Sequence, residues 1–587
     1  MPVQAGATLN TFISPLGPSA DMNNPELSVE TLLPHQGTGG RGTAPERARE
    51  RTQGAPERNP GNTPRSTPEG TPEFTARKFS ALTFATSGTF FLIYLALSAR
   101  RHAANLSTGY DLGIFTQVVQ SYANGTAPYS ALKGPDYNTL GDHFHPILAV
   151  LAPAYRLFPS GFTLLVCQAA LVAFSIAPLM KWAYEVRGRG FALWVGISYG
   201  ASWGLAKLVS FDFHEVAFAV PFLSLSLCAA GRRNWRAAAL WAMPLVLVKE
   251  DLGLTVAAIG AYLAWKGART TGIALAVFGV AATALEMLVI LPYFNPLGQF
   301  AYWPPEASEE AGLLLQAVGV LWPPVKWLTV LMLVAPTGFL ALRSPILLVA
   351  LPTLGWRFVS SNPYYWGTDF HYSAVLMPIA FAAAIHAVDS GRTGLGSRLG
   401  ARFGSRVGGG SGGGFGGAVG ARLRARGVLP ACVLGAVVTG VTFFTHPLHE
   451  LVLPRTWSES AHARTADELL GRIPDGTTVA ASNRLAAQLM DRTTVSEVCL
   501  FPRSFPPEEP PRWLIYDDTD NTDPACATGN LLEAGSDVPG YRLIEKRDGI
   551  SLLQRTATPP TSTSSTGTSS TGIQPNGTPS TGIQPTG

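Results

Sequence analysis

The chain has 587 residues, 47% of them hydrophobic and only 14% charged, with a net charge of +4 and five cysteines. Soluble domains carry roughly 25% charged residues, and here both polar tails dilute an even more apolar middle, so a soluble enzyme is excluded. The basic residues fall in small groups and form no patch for nucleic acid, and five cysteines cannot build a disulfide scaffold.

Residues 1–77 are rich in Pro, Gly, Thr, Arg and Glu, as in Thr63-Pro64-Arg65-Ser66-Thr67-Pro68. Such a composition buries too little apolar surface to offset the ordering of the chain, so the expectation is a disordered cytoplasmic tail. No short apolar core lies near Met1, which argues against a cleavable secretion signal.

A helix needs roughly 20 apolar residues to cross the hydrocarbon core. Phe79 to Ser98 is the first such run, and Arg77 and Lys78 before it place the N-terminus in the cytoplasm by the positive-inside rule. Further runs at about 160–183, 190–210, 214–230, 237–249, 252–265, 270–291, 325–342, 345–357, 372–388 and 428–445 bring the expected spans to about eleven, leaving the C-terminus outside. In this register Lys181, Arg187, Arg189, Arg232, Arg233, Arg236, Lys266, Arg269 and Arg343 face the cytoplasm. Residues 146–158 are apolar but too short to span, and read as a re-entrant or interfacial helix. The membrane domain thus covers 78–390 and is followed by a Gly/Arg-rich cytoplasmic loop at 391–427, a flexible linker with no phosphate-cradling signature.

Beyond the last helix at 428–445, residues 446–555 return to a soluble-like composition. Ala463, Ala466, Leu469, Leu470 and Ile473 recur at helical spacing. Thr477–Ala481 and Arg512–Tyr516 read as strands, and Tyr541–Lys546 and Ile550–Gln554 flank the hairpin signal Asp548-Gly549. The expectation is a small extracytoplasmic α/β domain, in which Cys499 and Cys526 are free to be bridged or not. Residues 556–587 repeat Ser, Thr, Pro and Gly and read as a disordered tail.

The chemistry-bearing residues cluster in the connections on the outer side. They are Asp111 within Gly109-Tyr110-Asp111-Leu112-Gly113; His143 and His145 around Phe144; Asp212, His214 and Glu215; the hairpin tip Lys249-Glu250-Asp251; and Arg357 with Asp369, His371 and Tyr372. Charged side chains at membrane depth are costly, so such a group is a functional hypothesis by default. Pro146 biases His145 toward an extended backbone, in which residues two apart share a face; this would aim His143 and His145 together, and the same spacing would align Asp212 with His214. The plainer readings are that Lys249 neutralises Glu250 or Asp251 and that Asp111 caps a helix. Histidines with carboxylates also suit Zn²⁺ or Mn²⁺, although the spacing is no recognised ligand motif, so a divalent metal cofactor stays open.

Taken together, Tyr110-Asp111-Leu112-Gly113-Ile114-Phe115-Thr116-Gln117, His143-Phe144-His145-Pro146, Asp212-Phe213-His214-Glu215, Lys249-Glu250-Asp251-Leu252-Gly253, Leu291-Pro292-Tyr293-Phe294 and His371-Tyr372 resemble the DUF2079 family of predicted bacterial membrane proteins over about 95–390, with a looser match near 465–520. That family is similar to GT-C type membrane glycosyltransferases, polytopic enzymes that take a sugar from a polyprenyl phosphate at the outer leaflet. The resemblance implies a mainly α, GT-C-like transmembrane bundle with Asp111 as counterpart of the acidic residue in the first outer loop, a base or metal ligand. This sequence lacks a paired Asp-Asp or Asp-Glu at that place.

The expected function is therefore a membrane glycosyltransferase. Asp111, His143, His145, Asp212, His214 and Glu215 would form its catalytic group, and Lys249, Glu250, Asp251, Arg357 and His371 would bind substrate. The partners would be membrane lipid and a polyprenyl-phosphate sugar donor, with no nucleic acid. A proton-coupled transporter or flippase, or a non-catalytic envelope protein, are the alternatives; no internal repeat of the transporter kind is visible.

Overall fold

A computed structural model of the chain describes residues 72–300, 319, 321–393, 415–498, 509–520 and 538–556. Residues 1–71 of the expected N-terminal tail, 394–414 of the expected loop, the C-terminal tail past 556, and Cys499 and Cys526 lie outside the described residues, whereas 72–77 and 415–427, expected as tail and loop, are helical and extend the apolar helices that follow them.

The first helix, α1 (Pro72–Ala103), ends in Arg100, Arg101 and His102. A five-residue π-helical turn, Gly109–Gly113, leads into α2 (Ile114–Ala123). Pro146 opens a 3₁₀ stretch that passes into α3 (Ala152–Leu157), and the 12 residues from Pro146 to Leu157 are too short to cross a bilayer as a helix. Next come α4 (Gly161–Phe174) and α5 (Ile176–Arg187), which form one run of 27 residues. The expected span at 190–210 is instead broken at Ala201 and Ser202 into α6 (Arg189–Gly200) and α7 (Trp203–Ser210).

The chain continues through α8 (Ala219–Gly231), α9 (Trp235–Ala242), α10 (Leu252–Trp265), α11 (Arg269–Leu285) and α12 (Leu291–Phe294). Helices Val325–Val334, Leu351–Val359, Leu376–Thr393 and Phe415–Thr445 follow. Among the described residues four helices are long and apolar enough to cross a membrane: Phe79–Ala103, Gly161–Arg187, Arg269–Phe294 and Gly427–Thr445. The other apolar helices are shorter, and proline-bearing 3₁₀ turns end or begin some of them, as Pro244 does after Ala242 and Pro345 does before Leu351.

Burial sorts these helices into layers. Leu376, Met377, Ile379 and the run from Ala380 to Ile385 are wholly buried, so Leu376–Thr393 is the axis of the bundle, packed against α8 and α5. At the periphery, Phe84 and Leu92 of α1, and Val433 and Val437 of the last helix, are exposed apolar side chains, as a helix facing hydrocarbon requires. The pair α10–α11 approaches backbone to backbone. A Cβ added to Gly279 would lie 2.3 Å from the Gly253 carbonyl oxygen, and one added to Gly260 would lie 2.6 Å from that of Gly272. Small residues at such a seam let two helices close without an intervening side-chain layer.

After the last helix the chain forms helix Ala461–Leu470 and a five-stranded sheet ordered β2-β1-β3-β5-β4. Its strands are β1 (Thr478–Ala481), β2 (Thr494–Glu497), β3 (Trp513–Asp517), β4 (Tyr541–Arg547) and β5 (Ile550–Arg555). The β1 strand pairs in parallel with β2 and β3, whereas β5 runs antiparallel to β3 and β4. The β4–β5 turn is the expected Asp548-Gly549, both with positive φ (52° and 84°), as a type I′ hairpin requires. Sequence reading missed β2, a four-residue edge strand whose pattern is too short to stand out.

Candidate active site

The loop from Ser107 to Gly113 sits at the centre of the polar cluster. Asp111 lies in its π-helical turn and accepts from the Thr108 hydroxyl at 2.9 Å, and its Oδ1 lies 3.2 Å from His214 Nε2. It therefore does not act as a simple helix cap. Its side chain keeps 24% exposure, whereas His214 behind it is buried.

Asp212 meets the same loop from the other side. Its Oδ2 accepts from the Thr108 N–H at 2.8 Å and lies 3.2 Å from the Thr108 hydroxyl, whose single hydrogen it shares with Asp111. The expected alternation of Asp212 with His214 does not hold, because Asp212 has a φ of +57°, and a left-handed residue breaks the two-residue repeat of an extended chain. Burial, and then the charge of Asp111, push the Asp212 carboxyl up to about 6, against the hydrogen bonds of Ser107 and Thr108.

Gln168, wholly buried on α4, pins this segment: its Nε2 donates to the Asp212 carbonyl at 2.5 Å, and its Oε1 accepts from the His214 N–H at 3.0 Å. Sequence reading passed over Gln168, although a lone amide in an apolar span is a signal in its own right.

His214 stacks face to face on His371, with ring centroids 3.6 Å apart, and Phe211 and Phe115 pack on the same imidazole. Among the described residues neither ring nitrogen of His371 has a hydrogen-bond partner, nor does His214 Nδ1. Burial, and next the neighbouring His214, hold His371 well below the usual imidazole range.

The hairpin tip is wired differently from the expectation that Lys249 neutralises its sequence neighbours. Lys249 Nζ binds Glu215 at 2.9 Å, Glu250 Oε1 meets His143 Nδ1 at 2.8 Å, and Asp251 accepts from the Trp356 indole at 2.8 Å. Successive residues entering a helix point about 100° apart, so three neighbours face three partners. Glu250 also accepts from the Phe144 N–H at 3.2 Å, and its own carbonyl accepts from the Thr283 hydroxyl of α11. Burial and Lys249 pull His143 down, but Glu250 outweighs both and holds it above its usual value.

His145 is buried edge-on to Phe115, and its Nδ1 has no hydrogen-bond partner among the described residues; burial lowers it to about 4. The Pro146 constraint places the two histidines near one another without giving them one partner.

Arg357 is wholly buried and donates to the carbonyls of Tyr365 at 2.7 Å and Gly367 at 2.8 Å and to the Ser373 hydroxyl at 3.0 Å. These bonds shape the loop that carries His371 and occupy three of the five N–H donors of the guanidinium, a group expected among those that bind substrate. Asp369 pairs with Lys207 at 2.8 Å, a residue that sequence reading did not single out.

The structure thus joins Asp111, Asp212, His214 and His371 around one loop, sets the Glu215–Lys249 and Glu250–His143 pairs beside them, and keeps Arg357 in a supporting role. Among the described residues no group of three or more His, Cys, Asp or Glu side chains is placed to hold a metal ion.

A bundle of apolar helices carrying a buried polar cluster at one end is the build of an integral membrane protein. The family model for DUF2079, described as "Predicted membrane protein (DUF2079)", matches residues 101–552. The chain belongs to that family. Among curated proteins none matches. Two similar solved structures are of ArnT from Cupriavidus metallidurans. The one bound to undecaprenyl phosphate is 14% identical, covers 82% of this chain and 99% of its own, and has a TM-score of 0.47. The other, in the apo state, is 13% identical, covers 82% of this chain and 98% of its own, and has a TM-score of 0.40.

Proposed function

We propose that the protein is a membrane glycosyltransferase that moves a sugar from a polyprenyl-phosphate donor to an acceptor hydroxyl at the outer leaflet, with Asp111 as general base. The observation that carries this reading is the contrast among the carboxylates. Glu215 and Glu250 are tied to Lys249 and His143 and are nearly closed off, whereas Asp111 stays accessible and is backed by a buried imidazole.

In the proposed step the acceptor oxygen attacks the anomeric carbon while the bond from that carbon to the phosphate oxygen breaks. The electron pair leaves with the lipid phosphate and the acceptor proton passes to Asp111. The Thr108 hydroxyl and His214 hold the carboxylate in place. Lys249 gives one of its three N–H donors to Glu215, and with His143 it would offset charge developing on the leaving phosphate. His145, Asp212, Glu215 and His371 shape the pocket. The C-terminal domain lies on the acceptor side, with the N-terminus cytoplasmic and the C-terminus outside.

The test is sugar incorporation by purified full-length protein from a labelled polyprenyl-phosphate donor. Asp111→Asn should lower kcat by about 10²–10⁴-fold, the usual contribution of a positioned base. Unchanged incorporation removes Asp111 from the mechanism, and proton flux in proteoliposomes lacking any donor would favour the transporter reading.

A further inference from the structure

The loop bearing Asp111 is held from outside the membrane bundle. A π-helical turn closes with bonds five residues apart, here Gly113 N–H to Thr108 O at 3.1 Å, and leaves its first N–H groups without partners inside the turn. One of these, the Tyr110 N–H, donates at 2.9 Å to Asn483 Oδ1 of the C-terminal domain. The approach is close: a Cβ on Gly109 would lie 3.0 Å from Ala486 Cβ and 3.2 Å from the Asn483 carbonyl oxygen.

Asn483 is itself fixed by the sheet. It opens the short helix Asn483–Ala486 at the end of β1. Ser482 N–H donates to the Ile515 carbonyl, Asp517 N–H donates to the Ser482 hydroxyl, and Arg484 N–H donates to Asp520 Oδ2 at 2.9 Å.

Further bonds flank this contact along the same stretch of chain. Gln488 donates to the His102 carbonyl at 3.0 Å, Asn105 donates to Asp467 at 3.0 Å, and Gln117 donates to the Val495 carbonyl at 3.0 Å. Asp491 accepts from the Ser160 hydroxyl at 2.9 Å and from the Gly161 N–H at 2.8 Å, capping α4.

We infer that the C-terminal domain is a clamp that sets the geometry of Asp111, with Asn483 as its positioning residue. This deepens the reading of Asp111 as base and rests on it for its catalytic consequence. The structural half stands alone: the domain orders the 108–113 turn by capping a backbone N–H that the turn cannot satisfy.

The test combines hydrogen exchange and kinetics on the full-length protein, comparing wild type, Asn483→Ala and Asn483→Asp. The carboxylate of the Asp variant can still accept from Tyr110. Asn483→Ala should speed amide exchange in 108–113 by about fivefold, the effect of losing one such bond, with strands β1 and β3 unchanged. It should lower kcat by a similar factor at constant KM, and Asn483→Asp should recover most of both losses. If the Ala variant does not purify, Asn483→Ser, with its shorter acceptor, takes its place.

Unchanged exchange in 108–113 overturns the clamp, and faster exchange with unaltered kcat overturns its link to catalysis. If wild type transfers no sugar, the Asp111 reading fails by itself, and the exchange result still decides the clamp.

Discussion

Asp212 shows how much one backbone angle controls. Its left-handed φ turns the carboxylate toward Thr108 and away from the face that His214 presents to Asp111. Burial beside Asp111 raises its carboxyl from 3.8 to about 6, so the folded state holds this proton more tightly than the unfolded chain does. The contribution to stability is therefore greatest at low pH and is lost as pH rises through that interval. Asn is uncharged, tolerates the left-handed region and can still accept from the Thr108 N–H. Asp212→Asn should thus unfold at least as high as wild type at pH 7–8, and this advantage should vanish below pH 4. Thermal unfolding in detergent across that range checks the sign; a deficit independent of pH would contradict it.

The α10–α11 pair carries Lys249-Glu250-Asp251 just before α10, at the end away from the α10–α11 turn. Its seam is set by glycines that face the backbone of the opposite helix, and the Thr283–Glu250 bond ties the tip to α11. Gly279→Ala places a methyl group 2.3 Å from the Gly253 oxygen and 2.7 Å from the Ala257 nitrogen. The helices must then part, at a cost of about 1–3 kcal/mol for overpacking. Gly440→Ala on the last helix meets nothing within 4 Å and serves as the control, with an expected gain of about 0.5–1 kcal/mol from the better helix former. Unfolding midpoints of the two purified variants should separate; equal midpoints would mean that the seam is compliant.

At the scale of the whole molecule, the ends of several helices sort by charge. Arg232 at the end of α8 binds Glu185 of α5 at 2.6 Å, and His386 joins Tyr262 and Ser344, which gathers the basic connections on one face. On the other face Arg101 meets Glu450 at 2.9 Å and Arg100 donates to the Thr456 carbonyl, bringing the ends of α1 and the last helix together beside the Asp111 loop. In the orientation proposed above, which follows the positive-inside rule, the basic face lies in the cytoplasm. In a background with the five native cysteines replaced, Ser458→Cys should react with an impermeant maleimide in intact cells. Arg236→Cys should react only after permeabilisation. The reverse pattern would invert the protein and move the polar cluster to the inner leaflet.

Much of this was legible in the amino-acid order because it depends on local pattern. Apolar runs mark helices, proline and glycine mark their ends, Asp548-Gly549 marks the hairpin, and histidines and carboxylates in otherwise apolar surroundings mark the cluster. Partner choice was not legible. That Lys249 takes Glu215, that His214 lies on His371, that Arg357 binds two carbonyls and a hydroxyl, and that Asn483 reaches Tyr110 all depend on how separate segments pack. A charge or an N–H group at membrane depth has to find a complement, but sequence neighbours on a helix diverge in direction, so the packed helices and the docked sheet decide which complement lies within reach.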